Sequence, residues 1–178
     1  ERDGLDMVVA KSVANSATMY NGKRYLVPLN YHYSGMFYNK SVLSKAGINT
    51  MPSTWDEFLS LCAKLKSKGI TPIALGSKNR WPAQFWFDYL ILRTVGPDYR
   101  HNLMTGKAAY DDYAVKHAMS IWKDLVDKGY FTNNSNADTW TDASDKVARG
   151  KAAMTLMGTW ITGYWNGKIG RASCRERV

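Results

Sequence analysis

Cysteine is almost missing from this chain: Cys62 and Cys174 are the only two in 178 residues. A disulfide framework and a cysteine-based metal site are both excluded. Cys62 falls on the apolar face of a helical pattern, where a thiol acts as a small buried hydrophobe. Histidine is scarce too, and His32, His101 and His117 have no metal-ligand spacing. They read as surface or hydrogen-bonded residues. No run of about 18 apolar residues occurs, so no stretch reads as a membrane-spanning helix. Neither Gly-x-Gly-x-x-Gly nor a phosphate loop is present, and Gly-x-Ser-x-Gly is absent as well. Asp138, Asp142 and Asp145 lack the glycine and terminal glutamate of a calcium loop and read as cap and loop residues. Asp111-Asp112 sits at a helix start, where capping and the helix dipole explain the pair. No cofactor, metal or catalytic residue is expected. With neither an initiator methionine nor a signal peptide, Glu1 reads as the start of a processed or truncated chain.

Negative charge is in deficit, and the formal balance is +9. Part of that excess belongs to residues 169–178, which break the composition and fit no periodicity. They resemble the in-frame translation of a sequencing-adapter oligonucleotide. Arg171, Arg175 and Arg177 against Glu176 carry +2, which leaves +7 for the rest. The remaining positive charge is spread as single residues, with Lys64, Lys66, Lys68, Lys116, Lys123 and Lys128 among them on helical polar faces. A nucleic-acid surface would cluster them into a stripe, so no nucleic-acid partner is expected.

Aromatic residues, by contrast, are plentiful, and the stretch from Gly150 to Trp160 organises them. A helix stops at Gly150, an apolar run follows, and Gly158-Thr159 then presents Trp160 at the carboxyl end of a strand. Open α/β sheets bind ligands there; a core residue under a loop is the alternative. A second unit of the same form precedes it: Ile70 to Leu75 is an apolar run, Gly76 to Arg80 is a loop, and Trp81-Pro82 opens a helix. Pro82 suits the first helical position.

The other elements read in order. Leu5 to Tyr20 predicts a short helix and its exit, and Asn21-Gly22 a turn. Arg24 to Leu29 and Gly35 to Asn39 predict strands, forming either a hairpin or a crossing between lobes, with Pro28 limiting the first. Ser41 to Ala46 is a short helix ended by Gly47. Thr54-Trp55-Asp56-Glu57 is a capping box, and Trp55, Phe58, Leu59, Cys62 and Leu65 then form one apolar face. Gly69 stops that helix. Gly96-Pro97 should end the helix that starts at Pro82. Asp112 can cap another, with Val115, Met119, Trp122, Leu125 and Val126 inward and Gly129 as its stop. A last helix covers about Asp142 to Arg149. Helices alternating with short apolar runs predict an α/β fold with a largely parallel sheet.

Tyr31, Tyr33, Trp81 and Trp160 fall near loops, while Trp55, Trp86 and Trp122 lie on helical apolar faces and read as core. Sugars present flat C–H faces ringed by hydroxyls. Indole and phenol rings cover the faces, and amide, carboxylate and guanidinium groups bind the hydroxyls. His32, Asn79, Arg80 and Gln84 stand beside these aromatics. A carbohydrate site and an aromatic-rich core with ordinary loops both fit the composition.

Five motifs in order narrow this. They are Asn21-Gly22-Lys23-x-Tyr25…Pro28 through Gly35-x-Phe37-Tyr38-Asn39-Lys40; Pro52-x-Thr54-Trp55-Asp56-Glu57-Phe58; Leu65-Lys66-x-Lys68-Gly69-Ile70-x-Pro72; Trp122-Lys123-x-Leu125-Val126-Asp127-Lys128-Gly129-Tyr130-Phe131; and Gly150-Lys151-Ala152-Ala153-Met154. Together, from Asn21 to Trp165, the chain resembles the extracellular solute-binding proteins of bacterial sugar ABC importers. The resemblance implies a periplasmic-binding-protein-like (type II) fold of two α/β lobes, here mostly the C-terminal one. Residues 1–28 would end the first lobe, 29–40 cross the hinge, and 41–168 form an incomplete second lobe. It further implies a monomer that delivers a mono- or oligosaccharide to membrane permease subunits, without catalysis, in the periplasm or outside the cell and with a lipid anchor as one form. Trp160 and Trp81 would contact sugar, with Tyr31, His32, Arg80 and Gln84 as further ligand-binding residues. A glycoside hydrolase fragment is the alternative, because such clefts also stack sugars on tryptophan. It would need two carboxylates flanking the bond, and none adjoins Trp81 or Trp160 in sequence.

Overall fold

The computed structural model describes residue 10 and residues 19–168. Most of the helix expected over Leu5 to Tyr20, and the tail 169–178, lie outside the described residues. The chain divides into two compact units, Glu1–Tyr33 and Ser34–Val178.

In the first unit β1 (Met19–Tyr20) and β2 (Lys23–Arg24) pair antiparallel, with Tyr20 opposite Lys23. Asn21 and Gly22 join them with φ of 48° and 74°. Two successive positive φ angles make the tight hairpin turn that Asn-Gly favours, because its twist matches that of the strands. The strand expected over Arg24 to Leu29 ends at Arg24 instead. Tyr25, Leu26 and Val27 have no burial to hold them extended, since all three are exposed, and Pro28 has no N–H to give a ladder.

The second unit contains a three-stranded sheet, ordered β3 (Ser34–Tyr38), β5 (Ala152–Gly158), β4 (Thr71–Ile73). Around it lie α1 (Lys40–Lys45), α2 (Trp55–Ser67), α3 (Trp81–Thr94), α4 (Gly96–Met104), α5 (Tyr113–Asp127), α6 (Trp140–Ala148) and α7 (Trp160–Lys168). β5 is buried along its whole length, which is why it reads as a near-continuous apolar run rather than an alternating one. β4 pairs with β5 in parallel, and Ile73 also bridges Phe131 in parallel. β3 runs antiparallel, with Ser34 opposite Gly158. The sheet is therefore mixed, not largely parallel. Helix–strand alternation sets the direction of a strand reached through a crossover helix, and β3 is entered from Tyr33 without one.

The predicted stop and start signals act as expected on α2. Glu57 N donates to Thr54 Oγ1 at 3.2 Å and Thr54 N donates to Glu57 Oε2 at 3.3 Å. Ser53 N and Oγ also donate to that carboxylate, at 2.7 and 2.9 Å, and these two donors, with Thr54 N behind them, hold the Glu57 carboxyl below its ordinary range. Gly69 leaves the helix at φ 72°. Leu61, Cys62 and Leu65 then pack with Ile73, Trp86, Leu125, Phe131 and Met154 into the main core. Full burial of a leucine such as Leu65 contributes about 1.5–3 kcal/mol. Desolvation in this core pushes the Cys62 thiol up to about 12.

Four helical expectations change. Gly96-Pro97 does not merely end a helix. Gly96, at φ 85°, redirects the chain and Pro97 begins α4 in its first turn. On α5 the buried face is Val115, Ala118 and Leu125, while Met119 and Val126 are exposed. The Asp112 side chain makes no cap bond to α5; its carboxylate accepts from Tyr99 Oη at 2.9 Å and Ala109 N at 3.2 Å. Trp86 is core and Trp122 packs against it, but Trp55 is 40% exposed. As the first residue of α2 it lies at the end of the apolar stripe, beyond the core, and stacks on Phe58, 5.2 Å between centroids.

Candidate functional site

The candidate site lies at the carboxyl ends of β4 and β5. From β4 the chain runs through Ala74 to Arg80 into Trp81, the first residue of α3. From β5 it turns at Gly158-Thr159 into Trp160, the first residue of α7. A third segment, Thr132 to Thr139, leads to Trp140, the first residue of α6. These three indoles meet. Trp81 lies 5.9 Å from Trp160, tilted by 60°, and 6.2 Å from Trp140, tilted by 53°. Phe85 touches Trp81 and Trp160 at 5.5 and 6.0 Å, and Tyr164 touches Trp140 at 5.1 Å. The cluster is half-buried over Phe37, Met157 and Ile161.

Two glycines permit this arrangement. A β-carbon on Gly158 would fall 2.1 Å from Cζ3 and 2.2 Å from Cη2 of Trp160, so the indole occupies that space. A β-carbon on Gly76 would fall 1.9 Å from the Thr139 carbonyl oxygen and 2.8 Å from Trp140 N. The loop after β4 therefore presses backbone to backbone on the start of α6. Hydrogen bonds fasten the same contact: Ser77 N donates to Ser135 O at 2.7 Å, Lys78 N to Asp138 O at 3.0 Å, and Ser77 Oγ to Asn136 Oδ1 at 2.9 Å. Lys146 also pairs with Asp138.

Trp140 is held by a second capping box. Asp142 N donates to Thr139 Oγ1 at 3.2 Å, while Thr139 Oγ1 and N donate to Asp142 Oδ2 at 2.6 and 2.8 Å. Those two donors, the hydroxyl first, hold the Asp142 carboxyl below its ordinary range, with Lys146 and Lys78 adding to the effect. Sequence reasoning missed Trp140. The available signal was Thr139-Trp140-x-Asp142, which repeats the Thr54-Trp55-x-Glu57 pattern and places a tryptophan first in its helix.

The other predicted residues fall around or apart from this cluster. Arg80 precedes Trp81 with φ 66° and ψ −45°, the centre of a γ-turn closed by Trp81 N donating to Asn79 O at 2.8 Å. Its N donates to Ser77 O at 2.8 Å, and its carbonyl accepts from Ala83 N at 3.0 Å. The exposed Arg80 side chain lines an open groove of about 550 Å³ with Ser77, Phe131, Thr132, Asn133 and Asn136. None of the three tryptophans lines that groove. Gln84 is exposed one turn into α3, and its Nε2 donates to Asp88 Oδ2 at 3.4 Å. Tyr31 and His32 belong to the first unit, both exposed, and Tyr31 meets Tyr33 edge-on at 5.6 Å.

Charge at the cluster is engaged. Asp142 is in the cap, and Asp145 accepts from Tyr164 Oη at 2.9 Å. Among the described residues no group of histidine, cysteine and carboxylate side chains is placed to hold a metal ion. What the arrangement offers is a set of tilted apolar rings at the edge of polar loops, a surface for stacking.

A family model described as bacterial extracellular solute-binding protein matches residues 2–172. An ABC transporter extracellular-binding protein of Pyrococcus horikoshii is 34% identical over 88% of this chain, and the chain spans 35% of that relative's length. Among solved structures, a chitin oligosaccharide binding protein is 34% identical with a TM-score of 0.79, over 85% of this chain and 38% of its own. The bacterial solute receptor AcbH, described as having an exclusive preference for β-D-galactopyranose, is 32% identical with a TM-score of 0.77, over 90% of this chain and 41% of its own. The helix-opening tryptophans thus stand on a fold shared with receptors of two different sugars, and, matched over nearly its full length, this chain belongs to the bacterial extracellular solute-binding proteins.

Proposed function

We propose that this chain supplies one wall of the sugar-binding cleft in the receptor component of a carbohydrate ABC importer. The observation that carries the proposal is the convergence of Trp81, Trp140 and Trp160 at the carboxyl end of the sheet. A pyranose presents an apolar face to such rings and its hydroxyls to neighbouring polar groups. Arg80 and Gln84 flank Trp81 for that second role. The names of the similar receptors, a chitin oligosaccharide binding protein and a galactopyranose receptor, support the same ligand class.

The fold in this reading is periplasmic-binding-protein-like, type II. Ser41 to Lys168 form most of the C-terminal lobe, residues 29–40 cross the hinge with Tyr31 and His32, and residues 1–28 end the other lobe. The chain's span of 35% of the Pyrococcus relative leaves the opposite wall to the remainder of such a protein. Ligand favours the closed form because only that form touches it from both lobes. The loaded receptor then docks on permease subunits, outside the cell or in the periplasm, as a monomer that a lipid can anchor.

Hydrolysis is not part of this reading. A glycosidase acid needs a raised pKa, whereas Asp142, the carboxylate two residues from Trp140, is pulled the other way by Thr139. The test is calorimetric titration of the full-length protein with D-galactose, maltose, maltotriose, raffinose and chitotriose, followed by analysis of the recovered sugar. Saturable binding with intact sugar supports a transport receptor. Cleaved sugar, or no binding to any saccharide, overturns it.

A further inference from the structure

We infer that Trp140 is a specificity-determining residue of this cleft, and that it lengthens the stacking surface so that the ligand spans more than one sugar ring. The inference rests on the sugar-receptor reading. Trp81, Trp140 and Trp160 share one structural position, the first residue of a helix at the carboxyl end of the sheet. Their rings follow one another in steps of 6.2 and 5.9 Å, each tilted against the next by 53° and 60°. Each step is close to the spacing of successive pyranose rings in a glycan. One pyranose covers about one indole face, so three indoles joined through Trp81 offer more ring surface than a single pyranose covers and serve a disaccharide or longer.

The way Trp140 is mounted argues against an incidental surface ring. Gly76 lets the preceding loop lie directly against Thr139 and Trp140. Ser77 and Lys78 bond to Ser135, Asn136 and Asp138, and the Thr139–Asp142 box fixes the first turn of α6. Tyr164, itself anchored through Oη to Asp145 at 2.9 Å, backs the indole at 5.1 Å. Over-determined placement of a half-buried aromatic at a cleft is what binding surfaces require, because a ring already in position loses little entropy on contact.

The experiment uses the full-length protein with fluorotryptophan incorporated, and Trp140→Phe to assign the Trp140 resonance by fluorine NMR. Calorimetry on wild type, Trp140→Phe, Trp140→Ala and Trp160→Ala uses the same five saccharides. On saturation with a bound di- or trisaccharide the Trp140 resonance should shift. Trp140→Ala should weaken the oligosaccharides about tenfold, the effect of one lost stacking contact, and weaken any galactose binding by clearly less. Trp160→Ala should lose every probe. A Trp140 resonance that stays put under saturating oligosaccharide overturns the inference even if Trp140→Ala fails to fold. So does a wild type that binds galactose alone, or an equal loss for galactose and oligosaccharides in Trp140→Ala, which would mark a structural wedge. Each of these leaves the receptor reading standing. A wild type that binds none of the five defeats both.

Discussion

Alanine at position 158 would put a methyl group where the six-membered ring of Trp160 already lies. The added carbon would sit 2.1, 2.2 and 2.5 Å from Cζ3, Cη2 and Cε3 of that indole. Carbon atoms rest about 3.5–4.0 Å apart, so the ring has to move by roughly 1.5 Å or leave its site. The backbone does not object, because Gly158 lies outside the left-handed region. Alanine is even favoured over glycine inside a strand, by about 0.5–1 kcal/mol. Against that, overpacking costs about 1–3 kcal/mol. The expected net loss for Gly158→Ala is therefore about 0.5–2 kcal/mol, read from urea denaturation by far-UV circular dichroism. The sharper expectation concerns the pair. In Trp160→Ala the ring is gone, so adding Gly158→Ala should be neutral or stabilising, a coupling of about 1–3 kcal/mol in the double-mutant cycle. Sugar affinity in Gly158→Ala should fall about tenfold, since the stacking face is turned away. If Gly158→Ala costs the same with and without Trp160, the indole does not occupy that space and the reasoning fails.

Gly76→Ala should be worse than Gly158→Ala, losing about 3 kcal/mol or more, because its β-carbon meets the Thr139 carbonyl, which cannot rotate aside as a side chain can. A lower urea midpoint than Gly158→Ala checks this. Thr139→Ala removes the cap in front of Trp140 and should cost about 1 kcal/mol at neutral pH. The Asp142 carboxyl is depressed in the fold by the Thr139 hydroxyl and N–H. Its contribution is thus present above the unfolded value of about 4 and disappears as pH falls through the lower folded value. The stability gap between wild type and Thr139→Ala should narrow from pH 5 to pH 2; a gap that widens there would contradict the assigned bonds.

Much of this fold is legible in the chain because its signals are local. Thr54 and Glu57 announce α2, Gly69 and Gly150 mark left-handed stops, and the apolar run from Ala152, interrupted only by Thr155, marks the central strand. Trp81 and Trp160 stand out by following a strand-like run and a short loop. What is not legible depends on contacts between distant segments. The direction of β3 is set by its register on β5, Ser34 against Gly158, and nothing near Ser34 encodes it. Gly96-Pro97 is equally good grammar for ending α3 and for beginning α4. Trp140 joins the cluster only because Gly76 allows two loops to touch, a fact about glycine that becomes visible when its neighbour is known. Met119 and Val126 fit a helical apolar stripe, yet Ala118 takes the inward place on α5.

The claim at the centre of this account is that the tryptophan cluster holds sugar in a receptor that leaves it intact. Calorimetric titration of the full-length protein against the five saccharides, beside Trp160→Ala, tests it most directly. The account predicts saturable binding of at least one sugar by the wild type, recovery of that sugar unchanged, and loss of binding in Trp160→Ala with the urea midpoint retained. Undiminished binding by Trp160→Ala, or cleavage of the sugar by the wild type, would contradict it.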